Sequence, residues 1–373
     1  MVYMESKNII IINKPTIDGS IIKCNVNFKG KNIIIVNEYT NISNLYDGLE
    51  GFVGLFIPHM IFTGDKLIVR GNLCPIFYQN MLKLREYYTS LNIGDTHFNI
   101  FCESYNPKEI TAKRKIISTF TGGVDSFHTL LTNMDKIDTV LYCINYDIVE
   151  KQEELLKAQL KMVKDVAQKL GKDVITCRTN QRFILERSGE INYLANTKAK
   201  QCGDLWGFFL HGCAIFGHAY NLANEYHSFY MPSSVPSTAN YLTGSSFHID
   251  HLYSSSFINI VPDGHCKRMD KIKEIIKLNK DIVFEHLRVC YNNTYLRSNY
   301  HKDKKYNCSH CEKCVRTYIP IGLININYLK ELKTFTVNPG TFNHVKQWYL
   351  GLKFTRISYV EFQDDIREWN SNG

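Results

Sequence analysis

The chain has 373 residues and a formal net charge of +8, with 44% hydrophobic and 21% charged residues. That balance excludes a disordered chain, and at ~100–200 residues per domain the length suggests two domains. Twelve cysteines fall well short of the ~8–10% of a disulfide scaffold, and the crowding of Cys308, Cys311 and Cys314 suits a metal site plus free thiols in a reducing compartment.

The start, MVYMESKNIIIINK, has a short apolar run and no small-residue cleavage site, so no signal peptide is expected. Short β-rich runs follow at Asn8–Asn13, Ser20–Phe28 and Lys31–Glu38, separated by turn sequences. Gly51–Phe62 is the longest apolar stretch. It is too short to span a bilayer and reads as a buried helical segment of a cytoplasmic protein with no membrane partner. A strand is expected at Asp65–Gly71 and a helix from Pro75 to Leu91, with Pro75 in its first turn. The strand THFNIFCES (96–104) then closes a β-rich α+β N-terminal domain, residues 1–112. It carries no motif for chemistry, so its expected role is structural or partner-binding.

From Lys115 the pattern changes. Strands are expected at 115–120, Asp138–Tyr146, 173–179 and 227–234. Helices are expected at Asp125–Asn133, Val149–Leu170 (stopped by Gly171) and Asp204–Ala223. This βαβα succession predicts an α/β fold for residues 113–373, a parallel sheet flanked by helices. The net positive charge points to an anionic partner. Nucleic acid is an admissible one.

Phe120-Thr121-Gly122-Gly123-Val124-Asp125-Ser126 follows a strand and opens a helix. Two glycines let the backbone turn tightly and expose N–H groups, and the helix adds the positive end of its dipole. Thr121 and Ser126 can donate to phosphate oxygens; Asp125 can hold magnesium or cap the helix. The Gly-Lys-Ser/Thr ending of a Walker A loop is missing. The segment resembles the Ser-Gly-Gly-x-Asp-Ser loop of the PP-loop ATP pyrophosphatases, with Thr121 in place of the first serine. The resemblance implies ATP bound by Thr121, Gly122, Gly123, Val124, Asp125 and Ser126, with Mg²⁺. It also implies nucleotide contacts at the next two strand ends, Cys143–Tyr146 and Cys177–Asn180, hence Asn145, Tyr146 and Arg178.

Cys290, Cys308, Cys311 and Cys314 form C-x17-C-x2-C-x2-C. Three cysteines at two-residue spacing are a strong signal for tetrahedral metal. For the fourth ligand, Cys290 competes with His310, His301 and Cys266, and an iron–sulfur cluster is the alternative to zinc. Arg288-Val-Cys-Tyr-Asn and the later Asn307-to-Arg316 segment resemble the zinc site of 7-cyano-7-deazaguanine synthase, with Ser309 where that family has glycine. The resemblance covers roughly Lys115–Thr317 and implies a zinc-binding appendix held by Cys290, Cys308, Cys311 and Cys314. In that family ATP activates a carboxylate on a 7-deazaguanine as an adenylate, ammonia gives the amide, and a second ATP-driven step gives the nitrile.

Ahead of a later helix, Lys267, Arg268 and Lys271 could reach phosphates, and Lys267 and Arg268 join Asp125 and Ser126 as candidate catalytic residues. Arg316 and the polar run Thr243–Asp250 are further candidates for ligand contact. The resulting expectation is an AMP-forming C–N ligase that adenylates a carboxylate, of the divergent kind met in some antiviral gene clusters. ATP and pyrophosphate suffice as anionic partners, so nucleic acid is not required. The competing expectations are a non-catalytic nucleotide-binding subunit that docks a protein partner through residues 1–112, and a transfer-RNA-modifying PP-loop enzyme.

Overall fold

The computed structural model describes residues 9–93, 99–106, 114–187, 205–238, 243–290, 306–354 and 357–371. His301 and the boundary between 112 and 113 lie outside them. The described strands are β1 (Ile9–Ile12), β2 (Thr16–Asp18), β3 (Ile21–Phe28), β4 (Lys31–Tyr39), β5 (Lys66–Leu73), β6 (Asn99–Tyr105), β7 (Lys115–Thr119), β8 (Thr139–Ile144), β9 (Asp173–Thr179), β10 (Tyr226–Pro232) and β11 (Asn259–Asp263). They form one sheet in the order β11-β10-β7-β8-β9-β4-β3-β1-β5-β6, with β2 paired to β3 outside that path. From β11 to β9 all neighbours are parallel. The seam β9–β4 and the pairs β4–β3 and β3–β1 are antiparallel, and β1, β5 and β6 are parallel again.

Local sequence explains these strands. β8 is TVLYCI, buried at every position, as a parallel strand covered on both faces must be. β3, by contrast, alternates between buried and more exposed positions, so only one of its faces meets a core. One apolar cluster joins the N-terminal strands to the helices Glu50–Thr63, Pro75–Ser90 and His211–Asn221. A second, on the other side, packs the helices Val124–Thr132, Glu153–Lys169, Arg268–His286 and Glu312–Ile324.

The expected buried helix is present, and every residue from Glu50 to Phe62 is buried. It crosses the helix His211–Asn221 so closely that a Cβ on Gly51 would lie 2.8 Å from the Gly217 carbonyl oxygen. The helix expected over 204–223 is divided. A wide π-helical turn, Trp206–Leu210, precedes the α-helix His211–Asn221. A neighbouring loop packs closely on this stretch: Gly244 N donates to Gly207 O, and a Cβ on Gly212 would fall 1.9 Å from Gly244 O. Among the described residues no helix is long and apolar enough to cross a membrane.

Strands β7, β8 and β9 run outward in one direction, while β10 and β11 lie on the other side of β7. The order therefore reverses at β7. In open α/β sheets the crevice at the carboxyl ends of the strands beside such a switch point takes the ligand.

Candidate functional site

The loop Phe120–Gly123 sits at that switch point. Its backbone is fixed from several sides: Phe120 N donates to Leu141 O, Arg288 N to Gly122 O, and Gln159 Nε2 to Thr121 O at 2.9 Å. Gly122 has φ +75°, a conformation that favours glycine, and a Cβ there would press on the end of Met162 at 2.5 Å. Gly123 is the N-cap of the helix Val124–Thr132, with no side-chain cap bond. Ser126 turns its hydroxyl back to donate to Gly123 O (3.1 Å) and accept from Thr121 N (3.3 Å). Thr121, Gly123, Val124, Asp125 and Ser126 line one pocket with the β8 and β10 ends (Tyr142, Cys143, Tyr146, Asp147, Ser234) and with Trp206, His211, Arg268 and Lys313.

Asp125 is the electrostatic centre. Its Oδ1 receives Lys271 Nζ at 2.9 Å; its Oδ2 lies 3.3 Å from Ser234 Oγ and 3.6 Å from Arg268 Nη1. Burial opposes ionisation, but the charges of Lys271 and Arg268 outweigh it and hold the carboxyl well below the usual carboxylate range. Lys271 is 1% exposed and donates also to Ser233 O. Arg268 is anchored by Nη2 donation to Thr317 Oγ1 at 3.1 Å.

Several residues expected at the nucleotide are engaged elsewhere. Asn145 has φ +75° and spends its side chain on Glu150 within its own turn. Arg178 pairs with Glu38 and Glu150 on the surface. Its strand end is covered because β4 of the N-terminal segment adds to β9; Asn180 likewise accepts from Val36 N and donates to Ile34 O. Lys267 points away from the loop to Asp365 at 2.6 Å. Tyr146 lines the pocket, with its buried hydroxyl bonded to Gln181, Ala214 O and His218. Arg316 pairs with Glu312 at 3.1 Å. Asp250, in the polar run, is fully buried and accepts from Ser245 Oγ and Ser246 N, which gives it a loop-holding role.

Lys271 and Lys313 carry more of the site than the sequence reading assigned them. Lys271 lies one helical turn after Arg268, on the same face, which is a readable signal. Lys313 falls in the spacer of a cysteine motif, where spacing arguments treat residues as filler.

The four cysteines converge. The Sγ atoms of Cys290, Cys308, Cys311 and Cys314 lie within 4.8 Å of one another, with Cys290–Cys311 and Cys308–Cys314 both at 3.9 Å. A tetrahedral zinc with ~2.3 Å bonds has sulfur–sulfur edges of about 3.8 Å, so the set fits. Cys308 N donates to Cys290 Sγ at 3.4 Å and Cys311 N to Cys308 Sγ at 3.2 Å, as suits thiolate ligands. Buried Asn307 brings the two segments together, accepting from Val289 N and donating to Leu287 O, both at 2.8 Å. Ser309 adopts φ +63°, the conformation that glycine favours, which explains the glycine of the resembling motif at this position. Of the competitors for the fourth ligand, His310 is exposed and Cys266 lies instead against His128 at 3.8 Å. The eleven described cysteines are all free thiols.

No protein-family model matches the chain, and no curated protein or solved structure matches it.

Proposed function

We propose that this chain is an ATP-dependent, AMP-forming enzyme that adenylates a carboxylate and transfers the acyl group to ammonia or an amine. The observation that carries this reading is the glycine loop at the switch point, opening a helix, with Asp125 set between Arg268 and Lys271 at its mouth. Loop N–H groups and a helix N-terminus suit phosphate oxygens, and no lysine follows the glycines as a Walker A loop requires.

In the proposed reaction a carboxylate oxygen attacks the α-phosphorus. The bond to the β-phosphate bridging oxygen breaks, and pyrophosphate leaves. The amine nitrogen then attacks the acyl carbon, AMP leaves, and the nitrogen loses a proton to solvent. The protein's part is positioning and charge stabilisation. Magnesium, when bound, would offset phosphate charge; Asp125 Oδ2, which among the described residues meets Ser234 and Arg268, is the oxygen that would be shared with it. Arg268 is held in place by Thr317 to face the developing charge on the leaving pyrophosphate. A 7-deazaguanine carboxylate is the first acid to test, on the resemblance of the cysteine motif.

The test is ATP–pyrophosphate exchange with that acid and a panel of aromatic carboxylates, with hydroxylamine as the acyl trap. Wild type is expected to exchange with at least one acid, and Asp125→Asn to lose exchange while retaining its fold. A wild type that binds neither ATP nor pyrophosphate would refute the reading.

A further inference from the structure

The spacer between the last two cysteines of the cluster holds Lys313, which lines the pocket of the glycine loop. Cys311 is the N-cap of the helix Glu312–Ile324, and Cys314 is fully buried in its first turn. Lys313 lies between them, is half-buried, and lines the pocket with Thr121, Gly123, Asp125 and Arg268. One turn further on, Thr317 is fully buried. Its hydroxyl donates to Lys313 O at 2.7 Å and accepts from Arg268 Nη2 at 3.1 Å. A single side chain thus ties the backbone beneath Lys313 to the guanidinium of Arg268, fixing the two cations on one wall.

Tyr142, from β8, lines the same pocket. The Tyr142 hydroxyl is buried, has no hydrogen-bond partner among the described residues, and belongs to a residue that lines this pocket. Asp147 is an electrostatic neighbour of both Tyr142 and Lys313.

We propose that the four-cysteine knot presents Lys313 as a second cation, beside Arg268, for the diphosphate portion of a bound nucleoside triphosphate. This rests on the nucleotide reading above and adds to it that the metal site sets part of the anion site. A metal bound by all four sulfurs fixes the first turn of the helix, and with it the direction from which Lys313 reaches the loop. The charge of Asp125 is already met by Lys271, so an incoming diphosphate needs cations beyond that pair.

The experiment is titration calorimetry of the metal-loaded, full-length chain with MgATP and, separately, with inorganic pyrophosphate, alongside metal content by mass spectrometry. Lys313→Met keeps the stem and removes the charge. It is expected to weaken both ligands by about tenfold or more, the loss of one charge-assisted contact, with the metal content unchanged. Lys313→Arg is expected to restore binding to within a few-fold. Wild-type affinity in Lys313→Met would overturn the proposal. So would loss of the metal in that variant, because the lysine would then serve the knot and not the ligand. If wild type itself binds neither probe, the failure belongs to the nucleotide reading.

Discussion

Asp125 is the residue any test of the glycine loop reaches for first, and replacing it with alanine should unsettle the fold as well as the site. Its partner Lys271 is 1% exposed and has two oxygens within reach, Asp125 Oδ1 at 2.9 Å and Ser233 O. Removing the carboxylate leaves a buried ammonium on one neutral acceptor. Stripping one member from a buried ion pair costs about 3–5 kcal/mol. The lower end applies here, since Ser233 O remains and the pocket mouth admits water, so about 3 kcal/mol is expected for Asp125→Ala. For a chain of this size that lowers the melting temperature by roughly 4 °C.

Urea unfolding of Asp125→Ala, Lys271→Met and the double variant measures this directly. The double variant should be at least about 1 kcal/mol more stable than the sum of the single losses, because the second change removes the stranded charge. The pH dependence has a definite sign. The folded carboxyl is held below its usual range, so its contribution is fully present above the unfolded-state value of ~3.9 and is lost as pH falls through the folded value. The gap between wild type and Asp125→Ala should therefore be equal at pH 7 and pH 5 and close only below about pH 4. An Asp125→Ala midpoint equal to that of wild type would refute the buried pair. For the same reason Asp125→Asn is the better probe of catalysis.

Two further outcomes are expected. Gly51→Ala puts a methyl 2.8 Å from Gly217 O and 3.0 Å from Tyr220 Cβ, an overpacking that should cost about 1–3 kcal/mol in urea unfolding; no loss would mean that the helices Glu50–Thr63 and His211–Asn221 do not cross here. Burial pushes the Asp250 carboxyl up to about 7, so the folded state binds an extra proton and wild-type stability falls as pH rises between the unfolded and folded values. Asp250→Asn keeps an acceptor for Ser246 N and removes the charge. It should unfold later than wild type at pH 8, by on the order of 1–2 kcal/mol, with a much smaller gain at pH 5; equal gains at both pH values would rule out the titration.

Much of this was legible in the sequence where chemistry is local. The strand–loop–helix unit around Gly122 and the cysteine spacing are short-range patterns, and the structure brings Thr121, Gly123, Val124, Asp125 and Ser126 to one pocket, without Gly122, and the four sulfurs to one point. What failed was long-range. Arg178 and Asn180 lie at a strand end that would be open in an isolated α/β unit, but β4 pairs with it, 140 residues away in the chain for the Arg178–Glu38 contact. Lys267 and Arg268 are adjacent in sequence, yet Lys267 is the extended N-cap residue and Arg268 the first of the helix, and Asp365 from the distant C-terminal helix takes Lys267. Strand β11 and the π-helical turn at Trp206 lie against neighbours that no local pattern announces.

The same long-range pairing bears on residues 1–112. A detachable docking module would leave the catalytic half intact when removed. Here β4 closes the edge of β9, and Tyr39 at its end bonds His218, which in turn bonds the pocket residue Tyr146. Tyr146 O–H lies against two pure acceptors, Gln181 Oε1 at 2.5 Å and Ala214 O at 3.0 Å, so its proton is spent on them. It must then accept from His218 Nε2–H at 2.8 Å, which leaves His218 Nδ1 to accept from Tyr39 O–H at 2.7 Å. His218 is fully buried, and burial lowers its pKa to about 3, so the neutral ring this relay requires is the form present near neutral pH. The relay runs from the N-terminal strand through one histidine tautomer to the ring that packs on Trp206 at the pocket. Cutting the chain before Arg114 removes Tyr39, leaves His218 Nδ1 only the weaker Cys177 Sγ contact at 3.6 Å among the described residues, and uncovers the apolar cluster shared with the helix His211–Asn221. On this geometry the N-terminal segment is part of what holds the pocket wall in place.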